Sequence, residues 1–381
     1  MMETLRLKSS VAPEAIELAN FNPKRFSLAR KRRGFTMTGL AKKLGVSLRT
    51  ISAYESGANP PLPEVFAKIP AALGFPSAFF FGDDLESLEV ENVSFRSLSK
   101  ITAKHRDMAR SQGDLAIYVS KWLDAKFDLP QCELPDLSSE TDPEAAAEYV
   151  RDRWSLGQQP IKNMIHLLES KGVRVFSIAV EAREVDAFSA WTGGLPFVFL
   201  NSYKSAERSR FDAAHELGHL ILHKHGTPQG RQAEIDANRF AAAFLMPKAG
   251  VLANAPKFVT LPELRARKKI WNVALAALNH RLREIGYTSE WHYHHLCVEI
   301  SKRGYRTHEP DGAQRETSLV LPKLFASLYQ EDRLSRAQIA DQLQLSLAEL
   351  ENLLFSMVMT SISGGKRATK PAGNPNLTRV K

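Results

Sequence analysis

The sequence predicts a mostly α-helical chain with an all-α amino-terminal part, a central α+β part with a small antiparallel sheet, and a helical carboxy-terminal region. Between residues 23 and 82, apolar residues recur at helical spacing and Gly and Pro separate the runs. Residues 173–200 contain three short apolar runs typical of strands, and two strongly periodic helices follow them. Residues 255–358 again have helical spacing.

Composition allows two or three domains, since 381 residues are enough for each to bury its own core. No apolar run approaches the roughly 18 residues needed to cross a bilayer, and the start lacks the apolar core of a secretion signal. We therefore expect a cytoplasmic protein with no membrane partner. Cys132 and Cys297 are far apart, which argues against a disulfide framework or a cysteine zinc site.

Polar or charged stretches at residues 82–91 and 134–144, and a basic tail from residue 363, mark the boundaries between parts. The predicted segments are an extension (1–22), a helix-turn-helix domain (23–82), a linker and helical connector (83–142), the α+β domain (143–250), a helical region (251–362) and a disordered basic tail (363–381).

The amino-terminal domain has the pattern of a helix-turn-helix. Thr36 can cap a helix over Met37–Leu44, Gly45 permits a left-handed turn, and Ser47 can cap a second helix over Leu48–Glu55. The outward positions of the second helix are Arg49, Thr50, Ser52 and Ala53.

The charge of this domain favours double-stranded DNA as a partner. Residues 23–56 contain nine basic residues and one acidic residue, Glu55. A surface that releases counterions from phosphates would have such a composition. The alternative is a helical dimerisation or docking domain whose basic side chains are simply solvated.

Strands are predicted at Val173–Ile178, Asp186–Trp191 and Phe197–Leu200, with Gly193 and Gly194 turning the last two into a hairpin. Residues 197–201 permit two interpretations. They are either a sheet edge near a cleft, to which an extended peptide adds as a further strand, or a plain core strand.

The segment FDAAHELGHLILHKHG contains His215, Glu216 and His219 as an HExxH motif in a predicted helix. Residues four apart share a helix face, so both imidazoles can bind the same Zn²⁺. Glu216 is then placed to take a proton from water that attacks a peptide carbonyl. The pattern predicts a zinc peptidase centre.

The next helix offers two carboxylates as a third ligand, Glu234 and Asp236, which point roughly 200° apart and cannot both face the metal. We favour Glu234, because Asn238 shares its face and resembles the residue that orients a ligand His in gluzincins; Asp236 is the alternative. His223 lies roughly 12 Å beyond His215 along the helix, so a helix-end or supporting role is expected for it and for His225.

The segment LSRAQIADQLQLSLAELENLL can form a second helix-turn-helix, with Ser335 and Ser346 as caps. Its acidic residues favour a packing or subunit-contact role over DNA binding. The histidines at 292, 294 and 295 lack ligand spacing and are expected to be ordinary, partly exposed residues.

Two family resemblances follow from these motifs. TMTGLAKKLGVSLRTISAYESGANPP resembles the XRE family of helix-turn-helix domains. This implies that residues 48–53 enter the major groove, that Arg49 contacts guanine and that Thr50 and Ser52 make shorter contacts. Leu48, Ala53 and Lys43 complete the expected DNA interface.

HELGHLILH together with EIDANRFAAAFLMP resembles the ImmA/IrrE metallopeptidases over about residues 143–247. This implies a zincin-like fold and an intracellular zinc endopeptidase that cleaves a repressor, a partner or itself in a stress, phage or mobile-element circuit. VSFRSLSKITAKHRD and the carboxy-terminal segment also resemble large fused regulators, some of which look acyl-metabolite-responsive.

The resulting expectation is a DNA-bound regulator with an active zinc endopeptidase domain, nucleoid-associated when bound to its operator, with a homodimer as a candidate assembly. One alternative is a transcription factor whose peptidase-like domain is a non-cleaving ligand sensor, for example of acyl metabolites. Another is an antitoxin-like protein that binds DNA and a partner.

Overall fold

The computed structural model describes residues 18–88, 102–178, 185–201, 203–225, 230–354, 357 and 378–379. Its contacts divide the chain into two compact units, Met1–Asp84 and Leu85–Lys381. Within these ranges, no helix has both the length and the apolar character needed to span a membrane.

The first unit is all-helical in its described residues. Its α-helices are α1 (Pro23–Arg32), α2 (Met37–Leu44), α3 (Leu48–Ser56), α4 (Pro63–Phe66) and α5 (Ile69–Leu73). Short 3₁₀ helices lie at Leu18–Asn20 and Ser77–Phe81. The predicted helix-turn-helix is confirmed, with its second helix one residue longer than expected.

Local chemistry accounts for the ends of α2 and α3. The Thr36 hydroxyl accepts the Gly39 N–H at 3.0 Å, and the Ser47 hydroxyl accepts the Thr50 N–H at 3.0 Å. Gly45 adopts the left-handed conformation between the helices, with φ of 73°. These contacts satisfy the first N–H groups of each helix and set the turn.

Some of the basic side chains of this unit bind to groups within the unit itself. Arg30, which is buried on α1, pairs with Glu55 of α3 at 2.5 Å. Arg25 and Arg33 donate to the backbone carbonyls of Asp83 and Leu73. Several of the basic residues that suggested DNA binding therefore hold the helices together.

The second unit consists of helices around a small sheet. Its helices are α6 (Ala103–Asp124), α7 (Pro143–Arg153), α8 (Met164–Ser170), α9 (Ala206–Leu222), α10 (Arg231–Leu245), α11 (Lys248–Asn254), α12 (Leu261–Trp271), α13 (Leu275–Glu284), α14 (Glu290–Lys302), α15 (Val320–Glu331), α16 (Arg336–Gln342) and α17 (Leu347–Leu354). Its described strands are β1 (Phe127–Asp128), β2 (Arg174–Ser177), β3 (Phe188–Thr192), β4 (Leu195–Leu200) and β5 (Thr378–Arg379).

The central sheet is mixed, whereas the sequence predicted an antiparallel one. Its order is β2-β4-β3, with β4 antiparallel to β3 and parallel to β2. The hairpin is confirmed, and Gly193 and Gly194 have φ of 57° and 78°. A turn signal specifies only the two strands that it joins, and the direction of β2 depends on packing against distant elements.

β4 is the central strand, so the interpretation of residues 197–201 as a sheet edge is wrong and the core-strand alternative holds. Residues Phe197 to Leu200 of this strand, and Asn201 directly after it, are buried, because β2 and β3 flank the strand and α9 packs against it. β3 lies at one end of the strand order β2-β4-β3, and it also packs against α9.

α9 lies between this sheet and α10, and its contact with α10 is unusually close. A Cβ added at Gly218 of α9 would lie 3.2 Å from the Ala237 Cα and 3.1 Å from a Phe240 ring carbon. Gly218 thus lets the backbones approach each other more closely than they could beside a Cβ without a small shift of the neighbours.

The carboxy-terminal helices pack onto the same core. The predicted caps are present, since Ser335 accepts from Gln338 N–H and Ser346 from Glu349 N–H. α17 packs against β2 and buries Glu349, which favours the packing role predicted for this segment. Most of the tail predicted at 363–381 lies outside the described residues, but Thr378–Arg379 pair with Phe127–Asp128.

We expect Gly218→Val to lower the free energy of unfolding by about 1–3 kcal/mol, because the branched side chain overpacks the helix crossing. The measurement is urea denaturation. Gly218→Ala is the control, since a single Cβ is partly offset by a gain of about 1 kcal/mol in helix propensity. Equal effects of Val and Ala would contradict a close crossing at this position.

Candidate functional site

Three side chains from α9 and α10 converge in the second unit. The Nε2 atoms of His215 and His219 are 3.0 Å apart. The Glu234 carboxylate lies 3.8 Å from the first Nε2 and 3.5 Å from the second. Among the described residues, these are the side chains grouped closely enough to hold a metal ion.

Hydrogen bonding orients both imidazoles. His215 Nδ1 lies 3.1 Å from Asn238 Oδ1, which can only accept, so Nδ1 carries the proton and Nε2 presents a lone pair. His219 Nδ1 lies 2.9 Å from Nδ1 of His223 and can donate to it in the same way. Burial, and secondarily the neighbouring His219, lowers the pKa of His215 to about 3, which keeps this imidazole neutral.

The cluster fits a tetrahedral cation. Two nitrogens at about 2.0–2.1 Å from one Zn²⁺ lie about 3.3 Å apart, close to the separation of the two Nε2 atoms. With both Nδ1 atoms protonated, the two Nε2 lone pairs face each other beside a carboxylate. A cation between them would relieve this repulsion, and the donor set of two His and one Glu suits zinc.

Asp236 does not join the cluster. Its Oδ1 accepts a hydrogen bond at 2.8 Å from Gln232 on its own helix. Glu234, in contrast, lies opposite both histidines, and Asn238 follows it four residues later on the same face.

Glu216 is buried beside the cluster and is held by the sheet. Its Oε2 accepts a hydrogen bond from the Ser189 hydroxyl of β3 at 2.6 Å. Trp191, two residues further along β3, donates to the Leu220 carbonyl at 3.1 Å. The strand therefore fixes the carboxylate of the HExxH glutamate relative to its helix.

Sequence reasoning assigned no role to Ser189. The available signal was a hydroxyl in an otherwise apolar run, AFSAW, within a predicted strand. Only the packing of β3 against α9 reveals that this hydroxyl faces Glu216.

The other histidines lie outside the cluster. His223, at the end of α9, supports His219, and His225 Nε2 lies 2.7 Å from Asp136 Oδ2. Burial, followed by the effect of His219, lowers the pKa of His223 to about 4. His292 Nε2 contacts the Val259 carbonyl at 2.6 Å, and His294 lies 3.0 Å from Glu290.

In the first unit, α3 presents the predicted DNA-contact positions. Leu48, Arg49 and Ser52 are exposed, and Thr50 and Ala53 are half-buried. Arg49 therefore extends from the amino-terminal turn of the second helix, the part of such a helix that reads base edges.

Two of the predicted contacts already have intramolecular partners. The Thr50 hydroxyl lies 2.8 Å from the Ser47 hydroxyl. Lys43, on α2, donates to the Ala72 carbonyl at 3.0 Å and lies over the Phe35 ring. Binding of DNA through either side chain would have to compete with these contacts.

Comparison with protein families identifies both regions. Residues 27–80 match the helix-turn-helix family HTH_3, and residues 168–283 match the IrrE N-terminal-like domain of the Peptidase_M78 family. No curated protein matched the chain. The second match extends to α13, beyond the segment 143–250 expected from sequence.

We expect Glu234→Ala to lose bound Zn²⁺ on dialysis, because it removes a ligand, and Asp236→Ala, the matched control, to retain it. Asn238→Ala should weaken zinc binding by about 10–100-fold, since it only orients His215. Metal content by mass spectrometry checks all three. Zinc retained by Glu234→Ala and lost by Asp236→Ala would reverse the assignment.

Ser189→Ala should lower kcat for peptide cleavage by about 10–100-fold, as expected when a supporting hydrogen bond is removed, and zinc content should stay unchanged. Ser189→Thr keeps the hydroxyl and should restore much of the rate. Ser177→Ala removes another buried strand hydroxyl and serves as the control. Equal rates for the Ser189→Ala and Ser177→Ala proteins would rule out a role in positioning Glu216.

Arg49→Ala should cost about 1–3 kcal/mol at a specific DNA site, because a bidentate base contact is lost, and leave binding to random duplex largely intact. Lys68→Ala removes one exposed charge outside α3 and is the control. Titration of both duplexes at fixed salt provides the measurement. Equal losses on both duplexes would make Arg49 a phosphate contact only.

Proposed function

We propose that this chain, which joins an XRE-type helix-turn-helix domain to an ImmA/IrrE-type peptidase domain, is a DNA-binding regulator with an active zinc endopeptidase. The observation that carries the proposal is the convergence of His215, His219 and Glu234 beside the buried Glu216. We propose that it acts in the cytoplasm, bound to its operator.

His215, His219 and Glu234 would hold the zinc ion, and Asn238 and His223 would orient the two imidazoles. When bound, Zn²⁺ supplies a Lewis acid that polarises a peptide carbonyl and makes water acidic enough to be deprotonated near neutral pH.

Glu216 acts as the general base and later returns its proton to the leaving amine. Ser189 holds one carboxylate oxygen, Oε2, and so limits the rotation of the carboxylate that would take the proton. The buried position of this carboxylate limits competing hydrogen bonds with bulk water.

An extended substrate would pass along β3. This strand ends the sheet order, and its Ser189 and Trp191 contact the HExxH helix. A peptide added at the edge of β3 would satisfy main-chain groups of the strand and lie beside Glu216.

The substrate that we propose is a protein present at the same DNA, such as a repressor, or a neighbouring copy of this chain. A tether to DNA raises the effective concentration of the peptidase near proteins bound to that DNA, so even weak substrate affinity suffices. A stress, phage or mobile-element circuit is the setting in which such cleavage would switch transcription.

The test is incubation of the full-length zinc-loaded protein with candidate repressors and with itself, followed by mass analysis of fragments. Glu216→Gln should keep zinc but lower cleavage by at least about a hundredfold, the usual order for general acid-base assistance. Asp236→Asn is the matched acid-to-amide control and should cleave normally.

Undiminished cleavage by Glu216→Gln would contradict the mechanism. Absence of any cleavage by the zinc-loaded wild-type protein would instead favour a non-cleaving sensor domain.

A further inference from the structure

A groove of about 550 Å³ opens beside the candidate metal cluster, between α9, α10 and α13. Phe211 of α9 lines it and lies four residues before His215, on the same helix face. Asn238 of α10 also lines it and contacts His215 Nδ1. The groove and the cluster therefore have Asn238 as a common neighbour.

The lining of this groove is mainly apolar. Ile235 lines the groove and is 41% exposed. The lining residues Ala242 of α10, Ala277 of α13 and Ala274, which directly precedes α13, are small and leave the space open. An occupant with an apolar surface would cover these groups and gain from their removal from water.

The cations at the rim already have partners. Arg208 Nε lies 3.0 Å from Asp212, Arg239 lies 3.2 Å from Asp142, and Arg283 lies 3.5 Å from Glu290. Each of these arginines already has a carboxylate partner within the chain. We therefore expect the groove to bind an apolar group more strongly than an anion.

We propose that this groove is the specificity pocket, which receives a large apolar side chain next to the scissile peptide bond. The proposal rests on the peptidase function proposed above. The volume accommodates an aromatic side chain. Asn238, which lines the pocket, also contacts His215, so a single residue separates the pocket from this histidine. The occupant is thus a Phe, Leu or similar residue of the protein substrate.

α13 is the wall that sets the size of the pocket. Its Ala277 is half-buried, so a larger side chain there projects into the groove without disturbing the core. Selectivity for large residues therefore depends on a helix that carries no part of the metal cluster.

The experiment compares cleavage of a peptide library by the full-length zinc-loaded protein and its variants. In the wild-type protein, peptides with Phe or Leu at one position should be preferred over peptides with Ala there. Ala277→Phe should reduce the ratio of kcat/KM for Phe peptides to that for Ala peptides by at least about tenfold, as loss of an apolar pocket does.

Ile235→Ala removes part of the apolar wall at an exposed position and should reduce the same ratio, which keeps the test decisive if Ala277→Phe fails to fold. Ala266→Phe is the control, since Ala266 is exposed on α12 and does not line the groove. An unchanged ratio in both groove variants, with cleavage intact, would overturn the pocket and leave the peptidase function standing.

A second readout does not need turnover. A fluorescent Phe-containing peptide is titrated into the zinc-loaded Glu216→Gln protein with and without Ala277→Phe, and the dissociation constant should rise at least about tenfold with the second change. If the wild-type protein cleaves nothing, the peptidase proposal fails, and this binding result alone decides the groove. Equal dissociation constants would overturn it.

Discussion

At the crossing of α9 and α10, a missing side chain determines how closely two helices approach. Gly218 faces the Ala237 backbone and the Phe240 ring so closely that these neighbours would have to shift to admit a Cβ. Glu234 lies one turn before Ala237, so this approach brings its carboxylate to the two histidines of α9. The cluster joins side chains of two helices, and its dimensions depend on the distance between those helices more than on either helix alone.

The surrounding elements then restrict the rotation of each side chain in the cluster. Asn238 and His223 contact the Nδ1 atoms of the histidines, and Ser189 reaches Glu216 from the sheet. Such contacts stabilise one tautomer and one rotamer, which reduces the entropy lost when a metal or substrate binds. The sheet therefore contributes to the site although none of its residues belongs to the metal cluster.

The parts of this arrangement that follow helical periodicity were predictable from sequence. The spacing of His215 and His219 follows from residues that share a helix face, and the same geometry excludes Glu234 and Asp236 acting together. The likeness to gluzincins favoured Glu234, whose carboxylate lies beside both imidazoles, and its role as a ligand stays a prediction. The direction of β2 and the central position of β4 were not predictable, because strand order depends on contacts far apart in sequence. Composition counted Arg30 in the basic stretch that suggested DNA binding, but charge alone could not show that it pairs with Glu55.

Among the described residues, the metal cluster and its supporting side chains all belong to the second unit, and the exposed face of α3 belongs to the first. Within the part of the chain that the structure describes, neither group of residues includes one from the other unit. Coupling between DNA binding and cleavage then requires no shared active site. In the proposed function, the covalent link alone would hold the peptidase domain near a protein bound to the same DNA, and the effective concentration would depend on the length of the link. Selectivity for the substrate would have to arise within the second unit, where α13 adds a wall to the groove next to the metal cluster.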